Sequence, residues 1–357
     1  MTTSSIDGTR PVRDGEQLDV ARLQDYLATH LPEAAGPLAV EQFPHGHSNL
    51  TYLIRSGEQE WVLRRPPFGN RVKTAHDMGR EYRILSKLCY VYPPAPGPAL
   101  YCDDDSILGA PFYLMERRKG VILRGSPRAD QPISPELVRR LCETLVDNIA
   151  LLHSLDYHTA GLEDLGKPQG YVERQVTGWT KRYQDARTDD VPDLERTMVW
   201  LAENRPAESA GATLIHNDFK FDNLVLDPND LTHVVAVLDW EMATLGDPLM
   251  DLGTTLAYWT EPGDPAPLHQ FIVGPTTVPG SLSRRELVER YAETTGRDTS
   301  NMLFCYVCGL FKVAVIAQQI YARFARGLTQ DPRFANFDKV VAALGLGAVR
   351  AIDAGRL

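Results

Sequence analysis

Three oxygen-bearing side chains in one stretch of this chain have the types and spacing that phosphoryl transfer needs. Asp218 and Asn223 lie five apart in His216-Asn-Asp-Phe-Lys220-Phe-Asp-Asn223, and Asp239 follows in Leu238-Asp-Trp240-Glu241. Phosphoryl transfer asks a protein for positioning and charge neutralisation more than for covalent chemistry. A carboxylate should accept the acceptor's hydroxyl proton, oxygen ligands should hold Mg²⁺ on the phosphates, and a cation should steady them. Asp218 suits the base, and Asn223 and Asp239 suit the metal ligands. Lys220, two residues after the base, suits contact with the transferred phosphate. His216 suits a hydrogen-bonded brace of the loop. Glu241 could assist the metal or cap the turn after Asp239.

These residues need a scaffold that brings them together. Thr213-Leu-Ile215 leads into the loop. Asn223-Leu-Val-Leu226 and His233 to Trp240 read as two short apolar strands, joined by the turn-forming Asp227-Pro-Asn-Asp230. A hairpin there is expected to carry Asp218 and Asn223 toward Asp239. Around it the periodicity is helical. Ser134-Pro135 opens a helix with Leu137, Leu141, Leu145, Ile149 and Leu152 on one face. Further helices are expected near 171–187, 193–203, 283–295, 301–325 and 335–352. His153 reads as a packed helix-end residue.

The N-terminal third has a different character. A short amphipathic helix is expected over 18–31. Asn49–Arg55 and Glu60–Arg65 then read as a hairpin about Ser56-Gly57-Glu58. A helix from about Thr74 to Leu88 carries Glu81, and further strands fall near 99–101 and 111–116. The fold class is therefore α+β: a small antiparallel sheet with one helix, then a large, mainly helical half. The expected divisions are 1–35 (extension and helix), 36–117 (sheet lobe) and 118–357 (helical lobe), with Arg117-Arg-Lys-Gly120 as the connection.

Composition removes other classes. The 357 residues carry 37 Lys and Arg against 47 Asp and Glu, a formal net charge of −10. A nucleic-acid binder would want a basic face, so none is expected as a partner. No run of about 18 consecutive apolar residues is present, so no membrane partner is expected. The polar start, Met1–Glu16, is not expected to be a secretory leader. Five scattered cysteines fit reduced thiols in a cytoplasmic protein. Cys305 and Cys308, in the apolar run 303–316, are expected to face a core. Gly161-Leu-Glu-Asp-Leu-Gly166-Lys167 begins like a phosphate-binding loop, but Pro168 stands where Ser or Thr would hold Mg²⁺.

The His216-x-Asp218-x4-Asn223 motif, with Leu238-Asp239-Trp240-Glu241, resembles the aminoglycoside phosphotransferase and choline kinase group of the protein-kinase-like fold. The resemblance covers about residues 36–330 and implies a bilobal kinase using ATP and Mg²⁺ on a small-molecule hydroxyl. Phe43-Pro-His-Gly46-His-Ser48-Asn49 looks like the family's nucleotide loop, which implies nucleotide contacts for Gly46, Ser48 and Asn49. Arg64 stands where the family usually has its phosphate-contacting lysine. Arg65 is the competing candidate, and Arg64 is favoured because it lies two residues from Val62 on the same strand face. Glu81 resembles the helix partner of that cation. Leu114-Met115-Glu116 resembles the hinge that holds adenine. Asp251, in Gly246-Asp-Pro-Leu-Met-Asp251, resembles the residue that braces the catalytic loop.

Leu162–Tyr171, Arg174-Gln175, Trp179 and Arg182-Tyr183 look like the kinase domain fused to acyl-CoA dehydrogenases. That likeness implies a hydroxyacyl-CoA or hydroxy-acid acceptor. Trp179 and Arg182 could line the acceptor site or belong to the core. An aminoglycoside acceptor, or a nucleotide-binding module without turnover, are the alternatives. Oligomeric state, monomer or homodimer, is left open.

Overall fold

The computed structural model describes residues 7–44, 49–68, 77–125, 133–207 and 211–357. Gly46 and Ser48, and the first residues expected of the second helix, lie outside the described residues. The chain forms two compact units. Unit 1 comprises 1–122, 159–162 and 224–241, and unit 2 comprises 123–158, 163–223 and 242–357.

Unit 1 opens with α1 (Val20–His30), whose N-cap Asp19 accepts from the Arg22 amide. Strands β1 (Leu38–Gln42), β2 (Leu50–Ser56) and β3 (Gln59–Arg65) follow. Ser56 pairs with Gln59, so β2 and β3 are joined by a two-residue turn. Gly57 supplies the positive φ (58°) that such turns require. Then come α2 (Met78–Leu88), β4 (Pro98–Cys102), α3 (Asp105–Leu108) and β5 (Phe112–Glu116). The five strands form one antiparallel sheet in the order β1-β2-β3-β5-β4. Tyr52, Ile54, Leu63, Phe112 and Leu114 pack beneath it with Leu23 and Leu27 of α1.

The chain then enters unit 2 with α4 (Pro135–His153), α5 (Tyr171–Ala186), α6 (Pro192–Glu203) and β6 (Thr213–Ile215). Ser134 caps α4 through the Leu137 amide, as the Ser-Pro signal predicts. It returns to unit 1 for the hairpin of β7 (Leu224–Leu226) and β8 (Val234–Val237), with Leu224 opposite Val237. The second strand is shorter than the sequence suggests. It ends at Val237 because Asp239 adopts φ 70°, outside the β region.

Back in unit 2 are β9 (Thr244–Gly246), paired antiparallel with β6, and α7 (Pro248–Ala257). Helices α8 (Arg284–Thr295), α9 (Met302–Ala325) and α10 (Phe337–Ala354) complete it. Every residue of α7 is buried. Helix α9 is long and apolar enough to cross a bilayer by composition, yet 72% of that stretch is buried within the protein. Cys305 and Cys308 are buried there as free thiols. Glycines let α7 and α9 approach closely: a Cβ on Gly253 would strike the Cys305 carbonyl, and one on Gly309 the Gly253 carbonyl.

Candidate active site

In unit 1 charged side chains, buried at Arg64 and Glu81 and half-buried at Asp239 and Glu241, gather where β3, α2 and the turn after β8 meet. The Arg64 guanidinium lies 3.1 Å from Glu81, 3.0 Å from Asp239 and 3.7 Å from Glu241. Arg65 is a different residue in practice. Its Nε donates to the Pro66 carbonyl at 3.1 Å, and its guanidinium stacks on Phe68. The sheet therefore selects Arg64 as the cation facing the carboxylates. Burial opposes the charge on Arg64, but Glu81, Tyr113, Asp239 and Glu241 together raise its pKa well above the usual value. Burial also pushes Glu81 up, against the pull of Arg64.

Glu81 has a second task. It accepts the Trp240 amide at 3.1 Å and so holds the turn that carries Asp239. Trp240 locks that turn from the other side, donating its indole N–H to the Val237 carbonyl at 2.8 Å and packing edge-on against Tyr92. Asn49 donates to Glu241 at 2.7 Å, and Arg80 donates to the Glu241 carbonyl at 3.0 Å. Both ends of Glu241 are thus tied to the sheet side of unit 1.

Among the described residues, the Glu81, Asp239 and Glu241 carboxylates converge on the Arg64 guanidinium. The hard oxygen donors of Asp239 and Glu241 are of the type that fits a divalent ion such as Mg²⁺, which takes one or two carboxylates and completes its shell with phosphate oxygen and water.

Met115 and Glu116 are the last residues of β5. The Glu116 amide donates to the Gly97 carbonyl at 2.9 Å, and its carboxylate accepts the Gly97 amide at 2.6 Å. The Glu116 N–H thus joins β5 to the segment before β4.

In unit 2 the loop after β6 presents Asp218, Lys220 and Asn223 together. Lys220 Nζ lies 2.9 Å from the Asp218 carboxylate. Asn223 Nδ2 donates to the Asp218 carbonyl at 2.8 Å and to Oδ2 at 3.0 Å. The amide nitrogen of Asn223 is thus turned to Asp218, which leaves its oxygen as the group for a cation. Burial opposes the Lys220 charge, but Tyr258 and Asp218 raise its pKa above the ordinary lysine range. The Lys220 ammonium also sits 4.4 Å from the Tyr258 ring centre.

The loop is held from behind by Asp251 of α7. Its Oδ2 accepts the His216 amide at 2.7 Å and its Oδ1 the Asn217 amide at 2.7 Å. His153 Nε2 lies 3.1 Å from Oδ2, and His153 Nδ1 lies 2.8 Å from the Tyr291 hydroxyl. His153 is therefore part of a buried chain from α8 through α4 to the loop, and does more than pack a helix end. Although burial pulls the other way, the His153 contact and the His216 amide hold Asp251 below the usual aspartate range. His216 is fully buried, and its Nδ1 accepts the Asp218 amide at 3.2 Å, as a brace should.

Sequence reasoning missed Lys312 of α9. Its ammonium donates to the Asn217 carbonyl at 2.8 Å, to Asn217 Oδ1 at 3.1 Å and to Thr254 Oγ1 at 3.4 Å. The available signal was a single cation inside the apolar run 303–316. Trp179 is buried with Arg182 stacked 4.6 Å above its ring. A small cavity beside Lys312 is lined by Trp179, Tyr171, Gln175 and Asn217.

Asn217 (φ 68°) and Asp239 (φ 70°) are the non-glycine residues with positive φ among the described residues. Such conformations persist where the surroundings over-determine them, and they cluster at functional sites. Each sits in one of the two motifs.

An antiparallel sheet unit carrying an Arg–Glu pair, and a helical unit carrying an Asp–Lys–Asn loop, define a protein-kinase-like phosphotransferase. A profile of the phosphotransferase enzyme family matches residues 39–287, and the chain belongs to that family. It is 36% identical to rat acyl-CoA dehydrogenase family member 11 over 329 residues, which is 87% of this chain and 40% of that protein. The chain thus spans less than half the length of this relative. Among solved structures, a Ralstonia eutropha protein assigned to the aminoglycoside phosphotransferases is 30% identical, with a TM-score of 0.77 over 94% of this chain and 99% of that one. Choline kinase from Cryptosporidium parvum shares the fold at 12% identity, with a TM-score of 0.65 over 94% and 97% of the two chains.

Proposed function

We propose that this protein is an ATP- and Mg²⁺-dependent kinase that phosphorylates a hydroxyl of a small molecule, with a hydroxyacyl-CoA or related hydroxy acid as acceptor. The observation that carries the reading is the Asp218 carboxylate, held between the Lys220 ammonium and the Asn223 amide in a loop strapped to Asp251. That carboxylate is placed to accept the acceptor's hydroxyl proton as the oxygen attacks. Lys220 offsets charge on the transferred group. In unit 1, Arg64 is the proposed phosphate contact and Asp239 a proposed metal ligand. In unit 2, Asn223 is a proposed metal ligand. ATP supplies the phosphoryl group, and Mg²⁺ when bound neutralises the charge on its phosphates. The acceptor class follows the likeness to the acyl-CoA dehydrogenase family proteins. A cytoplasmic setting accords with the free thiols.

The test is ATP turnover with hydroxyacyl-CoAs, free hydroxy acids, choline and aminoglycosides, using Asp218→Asn as control. The expected result is turnover with a hydroxyacyl-CoA, reduced at least about 100-fold in the variant, with ATP affinity retained. Preference for an aminoglycoside would replace the acceptor. Tight Mg-ATP binding with no turnover on any acceptor would replace the kinase by a binding module.

A further inference from the structure

Lys312 lies one turn beyond Gly309 on α9 and is 5% exposed. An ammonium has three N–H donors, and its three partners are two oxygens of Asn217 and the Thr254 hydroxyl. These are neutral groups, whereas a buried lysine is ordinarily matched by a carboxylate. Burial lowers its pKa to about 8, while Asp251 and Asp218 pull the other way. A core position wanting only volume would be filled better by Met or Leu.

What the ammonium grips is the residue before the base. Asn217 holds a left-handed conformation that a side chain disfavours. Every polar group of Asn217 is engaged. Its amide goes to Asp251, its Nδ2 to the Met242 carbonyl at 3.2 Å, and its Oδ1 takes the Tyr171 hydroxyl at 3.3 Å as well as Lys312. Its carbonyl takes Lys312. Rotation of this peptide would swing the Asp218 carboxylate directly.

We propose that Lys312 is a positioning residue for phosphoryl transfer: its ammonium fixes the left-handed Asn217 turn and thereby aims Asp218. The proposal rests on the reading of Asp218 as the base. In this role Lys312 acts through Asn217.

The full chain is compared with K312M, K312R, N217G and N217G/K312M. Amide hydrogen exchange of the 214–224 segment tests the geometry without any turnover. It is expected to quicken by about tenfold or more in K312M, with β2 and β3 unchanged. In kinetics, K312M is expected to lose about 100-fold in kcat, as a small misplacement of a reacting group does, with the KM for ATP changed by less than about threefold. K312R should recover most of the loss. Glycine at 217 needs less restraint, so the K312M loss should shrink to about threefold in that background.

Unchanged loop exchange in K312M, or a kcat within about twofold of wild type, would overturn the role of Lys312. Absence of turnover in the wild type would instead overturn the reading of Asp218. Should K312M not fold, K312R decides: loop exchange and kcat near wild type support the proposal, and loss of both in a folded protein ends it.

Discussion

The Arg64 guanidinium and the Glu81 carboxylate meet at 3.1 Å where their side chains are 9% and 1% exposed. Loss of Arg64 would leave Glu81 a buried, uncompensated charge, whereas loss of Glu81 leaves Arg64 facing Asp239 at 3.0 Å and Glu241 at 3.7 Å. Glu81→Ala is expected to cost about 1–3 kcal/mol of stability, measured by urea unfolding, through the buried Trp240 amide it leaves unpaired. It should also loosen the turn at Asp239. A cost under about 1 kcal/mol would mean the Trp240 amide does not depend on Glu81.

Asp251 should show its role in acid. Its folded pKa is depressed, so its contribution is fully present above the unfolded value near 3.9 and is lost as pH falls through the lower folded value. Asp251→Asn removes one acceptor from the His216 and Asn217 amides, at a cost of about 2–4 kcal/mol between pH 5 and 7. The gap between wild type and variant should narrow below about pH 4. A gap that stays constant down to pH 3 would contradict the depressed pKa.

Lys312 makes the opposite demand, at alkaline pH. Its folded pKa, about 8, lies below the unfolded lysine value of about 10.4. Between those values the unfolded chain binds more protons, so stability should rise with pH. Relative to K312M, wild type should gain about 1–3 kcal/mol from pH 8 to 10 in urea unfolding. A flat difference would show that the ammonium is not strained by burial.

Gly309→Ala should force α9 away from α7, because the added methyl meets the Gly253 carbonyl. Overpacking of this kind costs about 1–3 kcal/mol. Thermal melting should report it, and turnover should fall as Lys312 retreats from Asn217. Wild-type stability in this variant would mean the helix pair yields without cost.

Much of this arrangement was readable from residue order. The family resemblance pairs Glu81 with the cation at 64, and the two lie 3.1 Å apart; Asp218 and Asn223, read as base and metal ligand, share one loop in which Asn223 donates to Asp218. Amphipathic helices such as α4 announce themselves because one face is polar. Helix α7 gave no such signal, since burial on all sides removes the alternation that marks a helix face. Its Asp247-Pro248 start was a capping signal, and Asp247 does cap it through the Leu249 amide. The link from Lys312 to Asn217 joins residues 95 apart through tertiary packing alone. So does the engagement of the Glu116 amide by Gly97. No local pattern encodes either one.

The glycine contact between α7 and α9 acts as a gauge block. Two missing methyl groups bring the helix axes close enough for a lysine on one to pass over a threonine on the other and reach the loop beyond. The acceptor side of such an enzyme could be rebuilt for a new substrate while this spacing stays fixed. A single added carbon at the crossing would shift the loop that carries Asp218 without altering any residue of that loop.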